Sequence, residues 1–415
     1  MFRALRGWTG AQKHAVAASY LGWTLDAFDF FLLTFVVTDI ARTFDVDVKF
    51  ATVAIFVTLA LRPVGAFVFG RFADRYGRRP ILMIDVALYA LLAFASGFAP
   101  SLIAFLCLRG LFGIAMGGEW GIGASLTMET VPPESRGLVS GLLQTGYSSG
   151  YLLAAGVYAL LFPQIGWRGL IMLGLAPALL VLYIRRNVPE SPGWHPEKKT
   201  AGRIVTVLAK HWLLAIYAIF LMAALNFLSH GTQDMYPTFL KVDHGFTPHV
   251  VGTIVIVGNI GAILGGLFFG ALSQRFGRRR TLVTGALLCL PAIPVWLNSD
   301  GAIALAIGAF AMQFMVQGCW GIIPAHLNEL SPPVARGTFP GTVYQLGNLI
   351  ASYTAPLQAG LAVTLGTYGL ALGVVAGAAA GAVAFLTLAA MLVAFFTGAG
   401  LEARDRELQV THLSG

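Results

Sequence analysis

Apolar runs long enough to cross a bilayer recur along this chain, and they leave few folds open. A hydrocarbon core is spanned by about 20 apolar residues in helical form. Runs near that length cover residues 15–38, 51–70, 80–99, 101–125, 138–161, 168–186, 212–240, 250–270, 281–297, 302–325, 338–361 and 369–397. A bilayer offers the backbone no water, so each run must satisfy its own polar groups, which a helix does. The expected fold class is an all-α membrane protein with twelve transmembrane helices. Of 415 residues, 57% are hydrophobic and 11% charged, with mean hydropathy +0.75. That is too little charge to cover a soluble protein of this length.

The net charge of +8 does not point to nucleic acid, because the charges cluster in short loops between the runs. With both termini cytoplasmic, 21 of the 27 basic residues fall on the cytoplasmic side. Arg42, Lys49, Arg168 and Lys241 are left outside, and Arg62 and Arg109 lie within runs. The positive-inside rule favours that orientation. Met1 to His14 leads straight into a long run, so no removable signal peptide is read. Cys107, Cys289 and Cys319 all sit in apolar runs without metal-ligand spacing. Neither a disulfide framework nor a metal site is expected, and no cofactor.

The two halves of the chain repeat at an offset of 200 residues. Gly70-Arg-Phe-Ala-Asp74-Arg75-Tyr-Gly77-Arg78-Arg79 matches Gly270-Ala-Leu-Ser-Gln274-Arg275-Phe-Gly277-Arg278-Arg279. Gly118-Glu119-Trp120-Gly121 matches Gly318-Cys319-Trp320-Gly321, and Glu129 and Arg136-Gly137 match Glu329 and Arg336-Gly337. The expected organisation is a six-helix half over 1–186, a Pro- and charge-rich cytoplasmic linker over 187–211, a second half over 212–397 and a cytoplasmic tail over 398–415. The repeat and the Gly-x-x-x-Asp-Arg-x-Gly-Arg-Arg loop resemble major facilitator transporters. That resemblance implies two pseudo-symmetric six-helix halves with a substrate site at mid-membrane between them.

The seventh run carries an anomaly. Between Asn226 and Thr238 stand seven polar side chains in thirteen residues. Polar groups at that depth are expensive and mark function by default. Asn226, Ser229, His230, Gln233 and Asp234 recur at helical spacing, so they are expected on one face. The offset lays Asn226 on Asp26 and Ser229 on Asp29 of the first run, which suggests a shared central site.

Arg62, in Leu59-Ala-Leu-Arg62-Pro-Val-Gly, lies on the order of 12 Å inside the second run. A cation there needs a cavity or a partner. It offers a planar donor pair to a carboxylate; the plainer reading is a permanent ion pair with Asp26 or Asp29. Arg109 is a similar candidate that equally fits packing against the first helix. Asp26 and Asp29 share a face and are candidates for proton coupling, against a standing salt bridge. Glu119 and Asp234 are further proton candidates; the repeat partner of Glu119 is Cys319, so the fold does not demand an acid there. Arg62, Asn226, Ser229, His230 and Gln233 form the expected substrate-binding set.

Asp74, Arg75, Arg78, Arg79, Glu129, Arg136, Arg275, Glu329 and Arg336 fall at cytoplasmic helix ends. They read as gating ion pairs and helix-end contacts. Gln274 stands where Asp74 stands in the first half, so the second network should be weaker. His230 and Asp234 are too few to ligate a metal. No Gly-x-Ser-x-Gly elbow, phosphate loop or His-Glu-x-x-His appears, so an enzyme is not expected.

Asn226-x-x-Ser229-His230-x-Thr232-Gln233-Asp234-x-x-x-Thr238 resembles the seventh-helix signature of Jen-type lactate/pyruvate permeases, in the sialate:proton symporter branch. The Arg62-Pro-Val-Gly context resembles the same family. The resemblance implies alternating-access symport of a small monocarboxylate with protons, with the second-helix arginine on the carboxylate. It implies as partners the small carboxylate, protons and the lipid bilayer, with no nucleic acid, in a protein functional as a monomer. Lacking the long terminal extensions of fungal members, the chain fits a bacterial inner membrane. Symport of sialate or another organic acid, and a non-transporting sensor of the same fold, are the alternatives. The apolar residues Phe28, Phe30, Phe31 and Phe227 favour a small acid. A drug antiporter is disfavoured because Gly141-Leu-Leu-Gln144-Thr-Gly146-Tyr147 lacks the Gly-Pro of the antiporter signature.

Overall fold

The computed structural model describes residues 8–46, 48–194 and 211–396. Most of the expected linker (195–210) and the expected tail (398–415) lie outside them. The first half comprises α1 (Gly10–Thr43), α2 (Val48–Tyr76), α3 (Arg78–Ser96), α4 (Leu102–Met116), α5 (Glu119–Thr130), α6 (Arg136–Met172) and α7 (Ala178–Asn187). The second comprises α8 (Trp212–Gln233), α9 (Tyr236–Val242), α10 (Pro248–Phe276), α11 (Arg278–Leu297), α12 (Ala302–Leu330), α13 (Phe339–Ala351), α14 (Thr354–Leu365) and α15 (Tyr368–Phe396).

Among the described residues, fifteen α-helices make twelve crossings because several crossings are built of two pieces. The fourth breaks at Gly117–Gly118, the seventh at Asp234–Met235 and the eleventh at Ser352–Tyr353. Conversely, α6 contains the fifth crossing and the start of the sixth, joined at Gly166, whose φ of +62° interrupts the helix, and α7 completes the sixth. Among the described residues, ten stretches are apolar and long enough to cross a membrane. The fifth and eleventh crossings are not among the ten, and they are repeat partners. Gln144, Thr145 and Ser148 on one, and Gln345, Asn348 and Thr354 on the other, are buried polar residues. Apolar side chains such as Ile103, Leu160, Ile303 and Val363 stay exposed, as suits contact with lipid chains.

The repeat is visible in the backbone. α2 turns into α3 at Gly77 (φ +110°), and α10 into α11 at Gly277 (φ +95°). A side chain is strained at either angle, so glycine fits the sharp turn. Single 3-10 turns at 133–135 and 333–335 occupy matching places.

Candidate functional site

Between the halves lies a cavity of about 560 Å³. Its walls come from the parts of the helices remote from the Gly77 and Gly277 turns. Phe30, Phe31, Thr34 and Phe35 of α1 face it, with Tyr147 and Tyr151 of α6. From the second half come His230, Thr232, Gln233 and Asp234, with Tyr236, Asn259, Trp296 and Gln313. The wall is thus aromatic on the first half and hydrogen-bonding on the second.

The opposite face, which carries the basic loops, is shut. Asp74 accepts hydrogen bonds across the halves from Gly337 N–H (2.7 Å), Thr338 N–H (3.0 Å) and the Thr338 hydroxyl (2.6 Å). It therefore caps the start of the eleventh crossing, where a carboxylate meets unsatisfied N–H groups. Gln274, in the matching place, accepts from Gly137 N–H at 3.2 Å and from Arg278 at 2.7 Å. Behind these contacts, Arg78 joins Asp74 (2.8 Å) and Glu129 (3.3 Å), and Arg278 joins Glu329 (2.9 Å). Arg136 donates to Met128 O at 3.0 Å, Arg79 to Arg185 O, and the Arg336 carbonyl accepts from Ser125. Arg75 and Arg275 are exposed and lie over the Tyr76 and Phe276 rings. A Cβ on Gly141 would stand 2.3 Å from Gly266 O, so the backbones meet closely at this face.

The start of the expected linker is part of this closed face. Glu190 accepts from Arg78 N–H at 2.8 Å and Arg79 N–H at 3.3 Å, capping α3. Ser191 donates to Glu129, and Trp194 Nε1–H to Asp74 O. Burial raises the Glu190 carboxyl above the ordinary glutamate range, offset in part by those N–H groups.

An aromatic floor separates the cavity from the closed face. Tyr147 stacks on Trp23 (5.7 Å between centroids), Trp120 meets Tyr344 across the halves at 4.6 Å, and Trp320 meets Tyr344 at 5.5 Å. Trp120 and Trp320 are repeat partners, a signal present in the matched Gly-x-Trp-Gly sequences.

A family model described as Major Facilitator Superfamily matches residues 19–233 and 219–408. The chain belongs to the Major Facilitator Superfamily. It is 30% identical over 373 residues to the "Carboxylic acid transporter protein homolog" of Saccharomyces cerevisiae (strain ATCC 204508 / S288c), covering 83% of this chain and 60% of that one. It therefore spans less than two thirds of the yeast relative's length. It is 29% identical over 343 residues to the "Sialic acid transporter NanX" of Escherichia coli (strain K12), covering 81% and 84%. The proton:xylose symporter XylE has the same fold, with a TM-score of 0.75 at 17% identity over 91% of this chain and 95% of that one. These relatives are named as transporters, and the chain shares their family and fold.

The structure distributes the expected site residues unevenly. His230, Gln233 and Asp234 line the cavity. His230 Nδ1 lies 3.2 Å from Asp234 Oδ1, and Gln233 donates to Gln313 Oε1 at 2.8 Å. Asn226 and Ser229 are buried away from it. The Asn226 amide donates to Met222 O in its own helix (2.8 Å), and Ser229 accepts from Gln317 of α12 (3.0 Å). The single polar face expected of the seventh run is therefore split. Its lower part is buried against the second half's own helices; its upper part faces the open space.

Arg62 does not line the cavity either. It is 4% exposed, 3.5 Å from Asp26 Oδ2, and its guanidinium lies 5.6 Å from the centroid of Phe30. Phe30 stands between it and the cavity. Asp29 is buried and interacts electrostatically with Arg109, whose guanidinium lies 3.8 Å over Phe112. Glu119 is buried against Gly22, and neither of its carboxyl oxygens has a hydrogen-bond partner among the described residues. Sequence reasoning missed Asp85 of α3, fully buried near Glu119. It also missed Gln313 and Gln317 of α12, single amides in an apolar run whose repeat partners are Gly113 and Gly117.

Proposed function

We propose that this chain is a proton-coupled symporter of a small monocarboxylate, lactate or pyruvate first, working by alternating access. The observation that carries the reading is the buried Arg62–Asp26 pair at 3.5 Å, screened from the open cavity by Phe30. An ion pair this buried is stable only while both charges persist. Protonation of Asp26 releases Arg62 to a substrate carboxylate once Phe30 turns aside. Gln233 and His230 hydrogen-bond the carboxylate or the 2-oxygen; Ser229 and Asn226 join them only when the halves rearrange. Asp29, Glu119 and Asp234 are the other proton-coupling candidates. Carrying an anion together with a proton avoids work of about 2.3 kcal/mol per charge per 100 mV.

The two halves, 1–186 and 212–397, rock about this centre, joined by 187–211. The termini and the basic loops are cytoplasmic, in a bacterial inner membrane, and one chain suffices. On that orientation the structure faces outward, and Asp74, Arg75, Arg78, Arg79, Glu129, Arg136, Arg275, Glu329 and Arg336 form the inner gate. Similarity to a carboxylic acid transporter homolog, and of the seventh-run pattern to Jen-type permeases, supports an acid as cargo. In liposomes the purified protein should accumulate labelled lactate under an inward proton gradient, and Arg62→Ala should abolish this. Undiminished uptake by Arg62→Ala would remove the arginine from the mechanism.

One observation favours a second reading, a bulkier organic acid such as sialate. A cavity of about 560 Å³ is in the range that suits ligands much larger than lactate, and the relative NanX is named for sialic acid. Competition against lactate uptake by a panel of acids separates the two.

A further inference from the structure

The first half buries more acid than base, and the excess is not hydrogen-bonded. Asp26, Asp29, Asp85 and Glu119 are each at most 3% exposed, facing two buried arginines, Arg62 and Arg109. Asp26 has Arg62 at 3.5 Å, and Asp29 has Arg109 within electrostatic reach. Asp85 has neither. It is 0% exposed, and neither of its oxygens has a hydrogen-bond partner among the described residues. Its Oδ1 lies 3.2 Å from where a Cβ on Gly118 would stand, next to Glu119, whose two oxygens are equally unpartnered.

Among the described residues, no cation forms an ion pair with Asp85. The charged groups acting on Asp85 are Glu119 of α5 and Asp26 of α1, both acidic. On α3 itself, one turn on, the buried Tyr89 hydroxyl is also unpartnered. The turn packed on α3 at 173–175 is Leu-Gly-Leu, and α7 brings Arg185 and Arg186 only at its exposed end. Arg62 of α2 reaches Glu119 and Asp26. Arg109 of α4 reaches Asp29, and Arg168 of α6 is held at Gly97 and Ala99. An unpaired buried carboxylate is prohibitively costly, and such a group instead keeps its proton. A second feature points the same way. A void of about 10 Å³ touches Glu119, lined also by Ser19, Trp23, Trp120 and Gly123. That is about the room for one water.

We propose that Asp85 and Glu119 form a proton-binding carboxyl pair, set deeper toward the closed face than Asp26. Asp26 holds Arg62; the pair holds a proton that has no other partner. Within the symport reading, on which this role rests, the pair receives the proton that leaves Asp26 and passes it toward the closed face when that face opens. No bond other than O–H is made or broken.

The test needs no substrate. Full-length protein in lipid nanodiscs is titrated while the infrared C=O stretch of protonated carboxyls is recorded. Carboxyl-labelled ¹³C-aspartate separates Asp from Glu bands without any substitution. The expected result is a protonated aspartate band at neutral pH that is lost in Asp85→Asn, kept in the exposed-site control Glu134→Gln, and restored as a glutamate band in Asp85→Glu. Because coupled acids titrate in two steps, Glu119→Gln should leave the Asp85 band titrating in one. Absence of a protonated aspartate band in the labelled wild type overturns the proposal even if Asp85→Asn does not fold, and so does a band unchanged in folded Asp85→Asn. Wild-type protein that shows the Asp85 band but no proton-driven lactate uptake supports the pair and removes only the symport reading.

Discussion

At the residue scale, the main lesson is that helical periodicity places a side chain on a face but not at a depth relative to a cavity. Asn226 and Gln233 are two turns apart on one helix. Gln233 meets open space and Asn226 bonds its own backbone. Gln233→Ala should therefore weaken substrate binding by about 1 kcal/mol, the net worth of one hydrogen bond, a several-fold rise in KM in transport assays. Asn226→Ala should leave outward-facing binding unchanged in equilibrium titration. Phe30→Ala should uncover Arg62 to the cavity, read as faster reaction of Arg62→Cys with a thiol reagent in the double variant than in Arg62→Cys alone.

At the element scale, the closed face depends on close backbone approach and helix capping. Gly141 has no room for a side chain against Gly266 O at 2.3 Å. Gly141→Leu should block closure and favour the state open at the basic-loop face. Asp74 takes three hydrogen bonds from the start of the eleventh crossing. Charge-assisted bonds of this kind are worth roughly 1.5–3 kcal/mol each. Asp74→Ala should thus shift the balance between the two states at least tenfold in the same direction. Labelling of single cysteines at Thr34 in the cavity and at Ser140 near the closed face should show labelling falling at the first and rising at the second. Unchanged labelling in both variants would mean that neither contact holds this face shut. The helix breaks at Gly117–Gly118 and Asp234–Met235 lie beside Glu119 and the cavity-facing Asp234, so irregular backbone here borders protein or cavity and not lipid.

At the scale of the whole molecule, the asymmetry between the halves is sharper than the repeat that produced them. Among the described residues, the four buried acids of the central region and the two arginines beside them, Arg62 and Arg109, sit in the first half; amides, a histidine and Asp234 line the second. The crossings, their number and the parallel repeat were legible because a bilayer demands long apolar helices and because the match runs at a constant offset over the two loop motifs. The basic loops and the acids that meet them were legible for the same reason. What the chain order could not reveal was which of the buried polar groups meet. Asp85 was passed over because a lone acid near a helix end looks like a loop-facing charge until α5 is seen packed on it. The aromatic floor required both halves to be in place, and the docking of residues 188–194 required Asp74, Arg78 and Glu129 of the first half to be gathered at one face. Sequence alone determined the family's fold, since local hydropathy and the repeat are written in consecutive residues. Only the tertiary structure decided that Arg62 stands behind Phe30, that the polar stripe divides between the cavity and the buried interior of the second half, and that Asp85 has no ion-pair partner among the described residues, because each depends on residues distant in the chain excluding water together.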